Sequence, residues 1–97
     1  MNTRLRKQIF LAHKKKAMNI QLIQGQFSPQ EAIDIITKIV HVKIKFHEDK
    51  IYSLDNEEDI KMREKRIKKL QKELLEVRNF ITDKKTKIEM HSLVEIK

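Results

Sequence analysis

A single glycine and a single proline in 97 residues leave this chain few places to turn sharply. These two residue types most often mark tight turns, so their scarcity predicts a few long regular elements. Charged residues make up 37% of the chain, which favours helices with solvated faces. The length fits one domain, and the core of so short a chain is small enough that oligomerisation is an expected remedy.

The positive charge is concentrated at the start of the chain. Of the net charge of +8, six units come from the first 17 residues, which contain no acidic side chain. The six cations are Arg4, Arg6, Lys7, Lys14, Lys15 and Lys16. From Met18 onward the charge is nearly balanced, so we predict a basic tail over residues 1–17 and a single domain over residues 18–97.

Three structural explanations of the tail stay open beside a functional one. It is expected to be disordered, to form a short helix that packs on a partner subunit, or to precede a native start at Met18. The functional alternative is a tail that binds phosphates or anionic lipid.

Several function classes are unlikely on composition alone. Cysteine is absent, which excludes disulfides, thiolate metal sites and thiol nucleophiles and fits a reducing compartment. No apolar run approaches the ~20 residues that span a bilayer, and Ile9 to Ala12 is too short for the apolar region of a signal peptide. We therefore expect a soluble, cytoplasmic protein.

The first patterned segment, Met18 to Phe27, reads as a β-strand. Its apolar residues alternate with polar ones up to Leu22 and then change phase beside Gly25. A phase change next to the only glycine predicts a bulge or a close backbone approach.

A helix start follows directly at Ser28-Pro29-Gln30-Glu31. The serine is placed as N-cap, the proline as the first helical residue and the glutamate as its capping-box partner. Phe27 and Ala32 occupy the two positions of a hydrophobic staple. We expect this helix to reach about Lys50.

The segment from Val40 to His47 fits two structures. It continues the apolar arc of a helix, yet it also alternates strictly in β-branched residues, as a strand does. After Pro29 no glycine, proline or asparagine intervenes before Phe46 to turn the chain. The helix is therefore the favoured interpretation.

A second helix is predicted from Asp55 or Asn56, either of which suits an N-cap, to about Thr82. Its apolar residues follow an a/d spacing that is interrupted at Arg63. They are Ile60, Ile67, Leu70, Leu74, Val77 and Ile81. Five pairs are spaced for ion pairing one turn apart, namely Glu57 with Lys61, Asp59 with Arg63, Glu64 with Lys68, Lys69 with Glu73 and Lys72 with Glu76.

A second strand over Ile88 to Ile96 completes the pattern, after a polar turn at Asp83 to Lys85. The predicted fold class is α+β, with a long antiparallel helix hairpin flanked by N- and C-terminal strands that pair. A two-stranded ribbon has two open edges and is marginal alone, so we expect a homodimer that completes the sheet.

The histidines do not have the spacing of a metal site. His41 and His47 are six residues apart, which places them about 120° away from each other on a helix. His91 and Ser92 point to opposite faces of a strand and cannot form a nucleophile and base pair. No glycine-rich phosphate loop is present. We therefore expect no metal, no cofactor, no small-molecule substrate and no enzymatic activity.

Lys43 and His47 are unusual because both fall within the apolar arc of the first helix. One interpretation is that Lys43 reaches water or meets an acid of the second helix, such as Glu73 or Glu76. The other is a polar pocket for an anionic ligand.

The second helix also carries a basic cluster that could contact nucleic acid. Its candidate contacts are Lys61, Lys65, Arg66, Lys68, Lys69 and Lys72, together with the six cations of the tail. With Arg63 included, the seven cations of the second helix spread around most of its circumference and form no single stripe, and no aromatic residue lies among them for base stacking.

The segments from Leu22 to Ala32 and from Lys87 to Ser92 resemble small uncharacterised bacterial proteins. Those proteins share a strand, a glycine, an aromatic residue with Ser-Pro-x-Glu-Ala, two helices and a final strand. The resemblance covers about Met18 to Ile96 and implies this fold without implying an activity. Our interpretation is a small non-enzymatic interaction or dimerisation module, and the alternative is a nucleic-acid-binding protein.

Overall fold

The computed structural model describes residues 16–53 and 55–97. It contains the four predicted elements in the predicted order, with β1 at Met18–Phe27, α1 at Pro29–Tyr52, α2 at Glu57–Thr82 and β2 at Ile88–Ile96. The strands form a two-stranded antiparallel sheet, and the helices form an antiparallel pair. The predicted α+β class is confirmed. Five of the six tail cations, Arg4, Arg6, Lys7, Lys14 and Lys15, lie outside the described residues, whereas Lys16 is described and exposed.

The described residues divide into two units. The first comprises residues 16–25 and 90–97 and therefore holds most of both strands. The second comprises residues 26–89, with both helices and the adjoining strand ends.

The predicted start of α1 is confirmed in detail. The Ser28 side chain accepts a hydrogen bond from the Glu31 backbone N–H at 3.1 Å, and a Glu31 carboxylate oxygen accepts one from the Ser28 N–H at 2.9 Å. The hydrogen bond from the Ser28 backbone N–H, followed by an interaction with the Ser28 side chain, holds the pKa of Glu31 below its ordinary value, with a smaller contribution from the charge of Lys87. Two backbone donors that a helix start leaves without partners are thereby satisfied.

The segment from Val40 to His47 is helical, as favoured, and α1 continues to Tyr52. Continuing the helix keeps the backbone hydrogen-bonded without the turn that a change to a strand would require. The next helix begins beyond Asn56, whose side chain accepts from the Glu58 N–H at 2.8 Å.

The core of the helix unit is thin. None of the apolar residues predicted as the seam of α2 is exposed, and Leu70, Leu74 and Ile81 are buried, as is Ala32 of α1. Within the described chain no large side chain is completely buried. The helices are thus held by a single narrow apolar stripe. Neither of them combines the length and the apolar character needed to cross a membrane.

Two of the five predicted ion pairs form within the described residues. Lys61 lies 3.5 Å from Glu57, and Lys69 lies 3.9 Å from Glu73. A pair that the sequence interpretation did not include joins Lys45 to Asp49 at 3.4 Å. All of these side chains are exposed, so each pair contributes at most about 1 kcal/mol. The pairing expected for Arg63 is replaced by a contact with the other helix, described below.

Gly25 has an unusual backbone conformation, although the phase of the apolar residues of β1 already changes between Leu22 and Ile23. The strand is continuous through it, but its φ is 142°, a backbone conformation open almost only to glycine. Before this point Met18, Ile20 and Leu22 are exposed, and from Ile23 onward the alternate residues are half-buried.

Candidate functional site

The strand unit presents apolar side chains to solvent along β1. Met18, Ile20 and Leu22 are 61%, 42% and 53% exposed. Residues two apart on a strand share a face, so these three side chains form one continuous apolar row. Leu93, Val94 and Ile96 of β2 are exposed to a similar degree. Both strands of the sheet therefore carry apolar surface that the described residues do not cover.

The two open edges of this sheet differ in charge. Among the described residues the sheet has two strands, so each strand has one side without a hydrogen-bonding partner strand there. None of the ten residues of β1 is charged, whereas β2 contains Glu89 and Glu95. Charged residues on an edge strand oppose pairing with another chain, and a long uncharged apolar edge favours it. The edge of β1 is therefore the better suited to accept another strand.

A buried histidine links the two helices of the second unit. His47 of α1 is only 9% exposed, and its Nδ1 lies 2.9 Å from an Arg63 guanidinium nitrogen of α2. Arginine only donates hydrogen bonds, so Nδ1 accepts and the neutral ring carries its proton on Nε2. Arg63, which interrupts the seam of α2, therefore occupies its inward position with a hydrogen-bond partner.

The surroundings of His47 disfavour its charged form. Burial lowers its pKa most, and the positive charges of Arg63, Arg66 and Lys43 lower it further. Phe46 packs edge-on to the imidazole with ring centroids 5.6 Å apart. The guanidinium of Arg63 also lies 5.8 Å from the centre of the Phe46 ring. This cluster of one neutral imidazole, one aromatic ring and several cations is more elaborate than the sequence indicated.

A hollow of about 280 Å³ opens beside this cluster, between α1 and α2. Its lining residues are Lys43, His47, Arg66, Lys69, Leu70 and Glu73. Lys43 and Glu73 face the same hollow, as one of the two sequence interpretations suggested, but they form no ion pair within the described residues. The hollow is also the feature that the other interpretation, a polar pocket for an anion, required.

The basic cluster of α2 is more ordered than the sequence interpretation held. Arg63 and Arg66 do lie away from the other cations, but four lysines recur at intervals of four, three and four residues. They are the exposed Lys61, Lys65, Lys68 and Lys72. This spacing places them on one side of the helix, opposite its buried residues. All seven cations together do not form one stripe, as the sequence interpretation held, but these four lysines do.

The remaining cations and histidines do not form a further site. Lys69 belongs to the hollow, and Lys16 lies before β1. Across residues 16–53 and 55–97, no three histidine or carboxylate side chains are grouped so that they could hold a metal ion. On β2 the neighbours His91 and Ser92 differ in burial, as the alternation of a strand requires.

Comparisons with protein families, with characterised proteins and with solved structures found no match to this chain.

Proposed function

We propose that this protein is a self-associating interaction module whose two copies pair through the open edge of β1. The observation that carries the proposal is the ten-residue strand without a charged residue, with its apolar row at Met18, Ile20 and Leu22 exposed. Antiparallel pairing of two such edges about a two-fold axis gives a four-stranded sheet in the order β2-β1-β1-β2. Three or more strands are also what an isolated ribbon needs for stability.

Side-chain pairs and backbone hydrogen bonds together can supply enough free energy for a weak dimer. Edge-to-edge pairing sets Met18, Ile20 and Leu22 beside cross-strand neighbours of the other copy, and the three pairs that form are worth about 0.2 to 1 kcal/mol each. Each backbone hydrogen bond across the new edge adds about 0.5 to 1.5 kcal/mol. Association costs at least about 4 kcal/mol. With about 2 kcal/mol from the side-chain pairs, about eight to ten hydrogen bonds at about 1 kcal/mol each give a net of about 6 to 8 kcal/mol, which corresponds to a dissociation constant on the order of 1 to 100 µM.

Sedimentation equilibrium of the full chain tests this proposal. The wild-type protein is expected to dimerise, and Leu22→Lys is expected to weaken the dimer at least about tenfold, because an edge-strand lysine opposes pairing. Leu93→Lys is the matched control, since Leu93 is similarly exposed but lies on β2. A monomer at about 100 µM, or a dimer that only Leu93→Lys disrupts, would contradict the proposal.

A second candidate function is binding of nucleic acid along α2. It is favoured by the exposed row of Lys61, Lys65, Lys68 and Lys72 on one side of the helix. Four phosphate contacts predict that the logarithm of the duplex affinity falls with the logarithm of salt concentration with a slope of about −3.6. Replacing the four lysines by glutamine should make the slope less negative by about 3.6. An unchanged slope would contradict a role for this surface.

A further inference from the structure

We propose that the hollow between α1 and α2 is a binding site for a phosphate-type oxyanion. The proposal concerns the helix unit alone and is independent of pairing through β1. It rests on the charge of the hollow, on the hydrogen-bond donors around it and on its size.

The hollow carries more positive than negative charge. Lys43 reaches it from α1, and Arg66 and Lys69 reach it from α2, against the single carboxylate of Glu73. That carboxylate is 3.9 Å from Lys69, whereas Lys43 and Arg66 form no ion pair with any described residue. Cations that converge from two helices without matching acids repel one another. An anion in the hollow would relieve this repulsion.

The donors around the hollow suit an oxyanion with several acceptor oxygens. Arg66 offers a planar fork of N–H groups that can bind two oxygens at once, and the lysine ammonium groups donate as point charges. Because Arg63 occupies Nδ1 of His47, the imidazole carries its proton on Nε2, for which the described residues provide no acceptor. His47 lines the hollow, so its neutral ring can offer a donor there without adding charge.

The size of the hollow favours a small ligand. Its volume of about 280 Å³ lies just below the range of roughly 300 to 1,000 Å³ that is usual for small-molecule sites. The hollow has room for a single phosphate group with its bound water, supplied as the free ion or as a small phosphate ester. An extended nucleic-acid strand would instead follow the exposed lysine row on the outer side of α2.

The test is a titration of the full chain with inorganic phosphate, at constant ionic strength and about pH 7, followed by the ring nitrogen signals of His47 in NMR spectra. We expect a saturable change at His47. Arg66→Gln and Lys43→Gln should each weaken binding by about tenfold or more, because a charge-assisted hydrogen bond is lost from either side of the site. Lys72→Gln is the control, since Lys72 is an exposed cation of the same helix outside the hollow.

Three outcomes would overturn the proposal. The first is a change at His47 that does not saturate, and the second is equal weakening by all three variants, which would indicate screening of the net charge. The third comes from a parallel titration with a short oligonucleotide. If Lys72→Gln weakens that binding and Arg66→Gln leaves both titrations unchanged, phosphate is recognised by the lysine row and not by the hollow.

Discussion

His47 should make the stability of the helix pair sensitive to mild acid. Its pKa is lowered by burial first and then by the charges of Arg63, Arg66 and Lys43, while Lys69 and Glu73 share the adjoining hollow. Protonation would also turn Nδ1 from an acceptor into a donor that opposes the guanidinium of Arg63. The perturbation is therefore a change from about pH 7.5 to about pH 5.5, in the wild-type chain and in His47→Asn.

The sign and the size of the effect follow from proton linkage. The ring binds protons less readily in the folded chain than in the unfolded one, where its pKa is about 6.5. The stabilising contribution of the neutral ring is therefore fully present above about pH 6.5. It decreases as the pH falls, until the pH passes the lower pKa of the folded state. If the folded ring stays neutral, the loss between pH 7.5 and 5.5 is at most about 1.4 kcal/mol. The open hollow beside the ring admits water, so screening reduces the loss below that ceiling.

Urea unfolding followed by circular dichroism measures this loss directly. In His47→Asn the side-chain oxygen can still accept from Arg63 but does not titrate, so the loss over this pH range should shrink. His91→Asn, a change of an exposed histidine on β2, should keep the wild-type loss. Glu31 does not contribute to this loss. Its pKa is lowered in the folded chain, so its protonation reduces the stability only at pH values below its ordinary pKa of 4.5. Equal losses in wild type and His47→Asn would refute the reasoning, as would a wild-type stability that does not change.

Three further substitutions test local features by the same urea unfolding. Ser28→Ala removes the N-cap of α1 and should lower the free energy of unfolding by about 1 kcal/mol, whereas an unchanged value would show that the cap contributes nothing. Gly25→Ala places a side chain at a φ of 142° and should cost about 1 to 3 kcal/mol; a neutral result would contradict that backbone conformation. Thr37→Val should raise the stability by about 1 kcal/mol, because the Thr37 hydroxyl is buried without a hydrogen-bond partner among the described residues. A loss of stability in Thr37→Val would indicate that the hydroxyl has a partner.

The fold was predictable because its signals are local. The capping residues around Ser28 and Asn56 mark both helix starts, and the seam of α2 identifies the side that becomes buried. The helical state of Val40 to His47 followed from the lack of residues that turn the chain. Each of these inferences needs only neighbouring residues.

The candidate sites were less predictable because they depend on which residues meet across the helix pair. The sequence singled out His47 and Lys43 but paired Arg63 with Asp59 on its own helix. The useful signal was that Arg63 stands at an inward seam position, where a buried cation needs a partner. A histidine in the apolar arc of the other helix could have been recognised as that partner. The edge of β1 had a simpler signal, since a ten-residue strand without a charge is visible in the sequence.

The central claim is that two copies meet along β1, and an isotope-filtered NMR experiment tests it most directly. Equal amounts of labelled and unlabelled full-length protein are mixed at about 200 µM, above the expected dissociation constant. The account predicts contacts between copies that involve the methyl groups of Ile20 and Leu22, and their loss in Leu22→Lys. Contacts between copies confined to β2 or to the helices, or none at all, would contradict it.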